Sequence, residues 1–221
     1  MRKVISYLIL FGALMFFISN DGKTIKSFAY SPAVTKSDTN KSTANKPHSK
    51  VQTKSTVVPL EGYRWPTREV TIAITSQDPR TRQAFTDAIN AWNSTKAINF
   101  QLTNDAKNAN IIAHEKDLSA SDQSDGIEKT EDLGITDTSY DPDTNLVSHA
   151  DSSIDINKLA DKSREYRMWV AEHELGHAIG LDHAQPNTDS VMVPYNPRMG
   201  ITNNDIQAVN TLYSQNDKNS Q

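Results

Sequence analysis

Apolar and polar residues alternate over Glu69–Thr75 (Glu-Val-Thr-Ile-Ala-Ile-Thr), a β-branched run with the period of a strand. Asp78-Pro79 then opens a helix with proline in its first turn, and Ala84, Phe85, Ala88, Ile89 and Trp92 recur at helical spacing as its apolar face. Ile98–Leu102 and Ala109–His114 read as two short strands, 115–132 as an acidic surface loop, Gly134–Thr138 as a short strand and Leu146–Ile156 as a longer one. Ser163–Ile179 has the pattern of a helix. Residues 181–201, with Pro186, Pro194 and Pro197, read as irregular. The last helix spans about Asn203–Tyr213, with Thr202 as N-cap and Asp205 in the capping-box position three residues on. Strands come mostly first and helices later, which predicts an α+β domain: a mixed sheet with helices packed on it.

The ends of the chain follow other rules. Met1-Arg2-Lys3 precedes the largely apolar run Val4–Ile18, which is shorter than the roughly 20 residues a spanning helix needs. Residues 1–29 therefore read as a secretory signal peptide, with Ser27-Phe28-Ala29 offering small residues at a cleavage site, or as an uncleaved N-terminal anchor. Residues 30–57, dominated by Ser, Thr, Lys, Asn and Pro, bury too little apolar surface to offset their ordering entropy and read as a disordered linker. That leaves residues 58–215 as the folded domain and 216–221 as a polar tail. The implied location is secreted, or tethered at the cell surface.

Charge sharpens this division. Residues 1–57 carry nine Lys/Arg and two Asp/Glu, whereas 58–221 carry fourteen and twenty-five. The folded part is acidic, so nucleic acid is a poor partner, and a membrane is engaged only through the leader or anchor. The chain has no cysteine, so any metal must be held by histidine and carboxylate. No heptad pattern argues against a monomer.

The chemistry is concentrated in His173-Glu174-Leu175-Gly176-His177-Ala178-Ile179-Gly180-Leu181-Asp182-His183. His173 and His177, four apart on a helix, share one face and can share an ion. Glu174 can reach a water beside that ion. Gly180 permits the left-handed turn that ends the helix, after which His183 can swing in as a third ligand. Three neutral imidazoles suit Zn2+ and leave a fourth position open, as a catalytic site requires. Five fixed residues in eleven positions arise by chance with odds of about one in 10⁵ at ordinary residue usage.

These eleven residues resemble the long zinc-binding consensus of the metzincin metallopeptidases, and the wider context resembles the matrixin branch in a minimal bacterial form. Arg64-Trp65, Ala88 to Trp92-Asn93, Ala109-Asn110-Ile111-Ile112, Ser190-Val191-Met192 with Pro194, and Asp205-Ile206 with Leu212-Tyr213 extend the likeness over most of residues 60–214. The resemblance implies a twisted mixed sheet with an antiparallel edge strand, an active-site helix and a C-terminal helix. It implies an endopeptidase with one catalytic zinc on His173, His177 and His183, and Glu174 as general base. Met192, which read alone is an ordinary core methionine, would form the apolar floor of a Met-turn. An extended protein or peptide substrate would lie along the edge strand, for which Gly134, Ile135 and Thr136 begin the candidate. The pocket beyond the cleaved bond would be walled by Val170, Val193, Pro194 and Tyr195.

The departures from the family also matter. Without cysteine, latency by a thiolate is excluded. Within the domain only His114 and His149 are spare for a second, structural zinc, so that site is not expected. Asp141, Asp143, Asn145 and Asp151 read as a solvated acidic turn, with Ca2+ as the alternative. The rival reading from another class is a binding or adhesion module on a lapsed peptidase scaffold; the intact Glu174 counts against it. A purely structural zinc is disfavoured because a fourth ligand would have to be Asp182, Asp189 or Tyr195, none at a recognised spacing.

Overall fold

In strand β2 (Glu69–Ile74) Glu69 is exposed while Val70 and Ile72 are fully buried, the period-two pattern of a half-buried strand. The computed structural model describes residues 3–8, 57–118, 132–194 and 200–214. After β2 come α1 (Pro79–Ser94), β3 (Asn99–Leu102), β4 (Ile111–Glu115), β5 (Gly134–Asp141), β6 (Leu146–Ile154), α2 (Arg164–Ala178) and α3 (Asn203–Tyr213), and β1 (Lys3–Leu8) precedes them all. The sheet runs β1-β5-β6-β4-β2-β3. β2, β3, β4 and β6 are parallel, β5 is antiparallel to β6, and β1 is antiparallel to β5.

Within residues 57–214, then, the antiparallel edge strand is β5, and Lys3–Leu8 lies along its outer side, Leu8 opposite Ile135 and Lys3 opposite Tyr140. An apolar run that reads as a leader thus includes a sheet strand in this chain. The rest of residues 1–29, the linker 30–56, most of the acidic loop and the polar tail lie outside the described residues. Among the described residues no helix is long and apolar enough to cross a membrane.

Helix α1 begins where its chemistry says it should. The Asp78 carboxylate accepts the backbone N–H groups of Arg80 and Thr81, and Pro79 occupies the first helical position, where its missing N–H costs nothing. The buried face is the one the spacing predicts, with Thr81 added. At its far end, Asn93 bonds both backbone groups of Phe100, its amide donating at 2.9 Å and its carbonyl accepting at 2.7 Å, which pins β3 to the helix. Trp92 is fully buried and donates its indole N–H to the carbonyl of Glu172 at 3.0 Å, joining α1 to α2.

The segment before β2 and the end of α3 together cap the C-terminus of α2. Its indole buried, Trp65 donates to the Ala178 carbonyl at 2.8 Å, and the Tyr213 hydroxyl donates to the Ile179 carbonyl at 3.3 Å. These are helix-end acceptors that lack intrahelical donors. Backbone bonds from Glu61 to Gly180 and from Asp182 to Pro59, both 3.0 Å, complete the clasp.

The β5–β6 hairpin turns through Asn145 at φ 56, and Asp141 accepts the N–H of Asp143 at 2.9 Å. Asp151 instead pairs with Nε2 of His114 at 2.8 Å, and His149 is exposed. Asp141, Asp143 and Asp151 do not converge as metal ligands among the described residues.

Candidate active site

Ser163 caps α2 by accepting the N–H of Tyr166, and from Val170 to Ala178 every residue of the helix is buried. The helix ends in a Schellman arrangement: Leu181 N–H returns to the Gly176 carbonyl and Gly180 N–H to the His177 carbonyl, each at 3.0 Å. Gly180, at φ 98, makes that reversal without a Cβ penalty. Besides reversing the chain toward His183, the turn brings the Leu181 carbonyl under the ring of His177.

The three imidazoles converge. His177 Nε2 lies 3.1 Å from His173 Nε2 and 3.1 Å from His183 Nε2, and the ligand atoms of all three fall within 4.8 Å of one another. His173 Nδ1 meets the Val191 carbonyl at 2.7 Å and His177 Nδ1 meets the Leu181 carbonyl at 2.9 Å. A carbonyl only accepts, so both Nδ1 atoms carry the proton and both Nε2 atoms present lone pairs. Lone pairs facing each other at that distance repel unless a cation lies between them. Tetrahedral zinc, with Zn–N bonds of about 2.0–2.1 Å, holds its nitrogens about 3.3 Å apart. Geometry and donor set therefore both fit zinc.

Burial also sets the protonation states. Desolvation, followed by the neighbouring His183, lowers His173 to about 3. Desolvation and the other two rings hold His177 well below its ordinary value, and desolvation lowers His183 against the opposing pull of Asp182. Neutral imidazoles at physiological pH are the form that ligates metal. Glu61 stands behind the cluster, its buried carboxylate 3.6 Å from His177 Nδ1.

Met192 is fully buried beneath the helix. A Cβ at Gly176 would lie 2.3 Å from its sulfur, so the glycine lets the turn press against α2. That turn is anchored from α3. The Asp205 carboxylate accepts the Ser190 hydroxyl, Val191 N–H at 3.1 Å and Thr202 N–H at 2.7 Å, and Ser190 Oγ accepts Met192 N–H at 2.9 Å. The capping box predicts Asp205 as a helix-start residue; its second task, holding the methionine turn, carries no local signal.

Glu174 is fully buried, and desolvation raises its carboxyl well above the ordinary range, with Asp132 and Asp137 adding to the effect and the Thr136 hydroxyl opposing it. Positions 134 and 136 face this carboxyl: a Cβ at 134 would lie 2.5 Å from Glu174 Oε1, and the Thr136 hydroxyl meets Glu174 Oε2 at 2.8 Å. The reason is the pleat, which turns 134, 136 and 138 toward α2 as one set. Ile135, the residue between them, points to the other face and is buried.

Val170, Val193 and Pro194 come together with Leu133, Trp169, Val191 and His173 around a cavity of about 10 Å³, room for about one water. Leu133 and Trp169 were not among the candidates; each enters from an element whose packing only the tertiary fold decides. Tyr195 lies outside the described residues.

Residues 64–214 match the family model described as matrixin. The metalloendoproteinase 2-MMP of Arabidopsis thaliana is 27% identical over 168 residues, 69% of this chain and 43% of that protein, so the chain spans less than half the length of this relative. The crystal structure of myroilysin aligns with 71% of this chain and 88% of its own, at 15% identity and a TM-score of 0.41.

Proposed function

Since this chain belongs to the matrixin family of metallopeptidases, we propose that it is an exported zinc endopeptidase, with His173, His177 and His183 as ligands and Glu174 as the general base. The observation that carries this reading is the convergence of three Nε2 atoms whose ring partners, for His173 and His177, are backbone carbonyls. Zinc held there supplies the Lewis acidity that activates water and polarises the scissile carbonyl.

The protein's own groups do the rest. Glu174 Oε1 is buried without a hydrogen-bond partner among the described residues, so it has a lone pair free for the proton of the attacking water. The same carboxyl then delivers that proton to the departing amine. The substrate lies extended on the outer edge of β5, where backbone groups pair with a strand of any sequence. Residues 3–8 lie along that edge in the full chain, and removal of a leader over residues 1–29 on export frees it.

The test is cleavage of a diverse peptide mixture, read by mass spectrometry, by the protein with and without residues 1–29, beside Glu174→Gln carrying equal zinc. Cleavage by the parent protein, lowered about 10²–10⁴-fold in Glu174→Gln, is expected. Equal turnover by both would remove the proposed base, and zinc-loaded, folded protein that cleaves nothing would turn the reading toward binding.

A further inference from the structure

We infer that Thr136 is a positioning residue for Glu174: its hydroxyl, locked between β5 and β6, aims the carboxylate, and the bare backbone of Gly134 provides the space in which it lies. The inference rests on the reading of Glu174 as the base and extends it to the neighbours that hold that base.

Thr136 Oγ1 lies 2.8 Å from Glu174 Oε2 and 3.0 Å from the main-chain oxygen of the same residue. Its remaining neighbour is Ser152 Oγ at 3.1 Å, on the residue directly across the β5–β6 ladder. All three residues are fully buried, so water does not compete for these bonds. A hydroxyl has one proton to give. With Ser152 donating to Thr136, the Thr136 proton goes to Glu174. A β-branched side chain on a strand is stiff about χ1, so the backbone of β5 sets the direction of the bond.

The carboxylate is held unevenly as a result. Oε2 is bonded, while Oε1 has no hydrogen-bond partner among the described residues. A Cβ at position 134 would come within 2.5 Å of Oε1 and 2.7 Å of both Cδ and Cγ, so the side chain of Glu174 lies flat on the strand where only glycine leaves room. Gly134 and Thr136 share a face because they are two apart on a strand, and together they define one position for the group. A fixed carboxylate with one uncommitted lone pair is what proton transfer in a set direction requires.

The experiment compares Thr136→Val and Thr136→Ser in the zinc-loaded protein. Removing the hydroxyl at nearly constant volume is expected to lower kcat about 10- to 100-fold with KM and zinc content unchanged. Serine, which keeps the hydroxyl, is expected to recover most of that loss. In a Glu174→Gln background Thr136→Val should cost nothing further, because groups that act as a unit are not additive. Crystal structures supply a readout independent of turnover: the Glu174 carboxylate should be displaced or spread over rotamers in Thr136→Val and single in the parent. If the valine variant does not fold, Thr136→Ala, which can clash with nothing, takes its place. Wild-type kcat in the variant, or an unmoved carboxylate, overturns the role of Thr136. A parent protein that binds zinc but cleaves nothing sinks only the peptidase reading, and the carboxylate position still decides this one.

Discussion

The Nδ1 atom of His173 donates to the carbonyl of Val191 at 2.7 Å, so an imidazole of the three-histidine cluster is oriented by the residue just before Met192. Val191 is held in turn by Asp205, whose carboxylate accepts its N–H at 3.1 Å. The C-terminal helix is thus connected to the histidine cluster through two hydrogen bonds and one residue, and partners of this kind set both the tautomer and the aim of a metal-binding imidazole.

Asp205→Ala removes the acceptor shared by Ser190, Val191 and Thr202. The buried Ser190 hydroxyl and Val191 N–H and the half-buried Thr202 N–H then lose this acceptor, which is expected to cost about 2–4 kcal/mol of stability and to weaken zinc binding about tenfold or more. Thermal unfolding and chelator competition on the same preparation check both. Loss of stability with unchanged zinc affinity would break the proposed connection between α3 and His173.

Gly176→Ala puts a methyl group 2.3 Å from the Met192 sulfur. Met192 and Gly176 face each other in a filled core, so the turn must shift, at an expected cost of about 1–3 kcal/mol. Combining it with Met192→Ala should recover part of the loss, since the second change opens the space the first one needs. Additive losses in the double variant would show that the two residues do not press on one another.

Glu172, next to His173, is 2% exposed, and its Oε2 has no hydrogen-bond partner among the described residues. Desolvation, helped by the nearby Asp205 and opposed by the Ile201 N–H, raises its carboxyl from 4.5 to about 7. Because the folded state holds the proton more tightly than the unfolded one, the stabilisation is complete below 4.5 and is lost as pH rises through about 7. Glu172→Gln cannot ionise. Its stability relative to the parent should therefore climb between pH 5 and pH 8 by up to about 3 kcal/mol. Denaturant unfolding at a series of pH values reads the difference, and a flat difference would mean that Glu172 titrates normally.

Much of the fold is legible because its signals are local. Asp78-Pro79 and Thr202 with Asp205 start their helices at the positions read from the residues, and the apolar faces follow from spacing alone. Boundaries slip where a side chain intervenes. β6 ends at Ile154 rather than Ile156 because the Asp155 carboxylate bonds the N–H groups of Asn157 and Lys158 and turns the chain. β4 starts at Ile111 rather than Ala109, since Asn110 spends its side chain on the N–H and hydroxyl of Thr71. The strand over residues 3–8 is hidden for a different reason: an apolar run beside positive charge carries the composition of a leader, and pairing with β5 depends on residues more than a hundred positions away.

What the residues determined by themselves is the chemistry that one helix and its turn can assemble. Two histidines four apart share a face, a glutamate sits beside the first, and Gly180 reverses the chain toward His183; helical geometry and backbone freedom suffice for all of it. Only the tertiary structure decided which face of β5 meets Glu174, that Thr136 and Gly134 attend that carboxylate, and that Asp205 reaches the turn of Met192. Thr136 and Glu174 are 38 residues apart, and His173 and Val191 are 18 apart. A period-two pattern states that a strand has two faces, but which of them is covered, and by what, is set by the packing of α2 against the sheet.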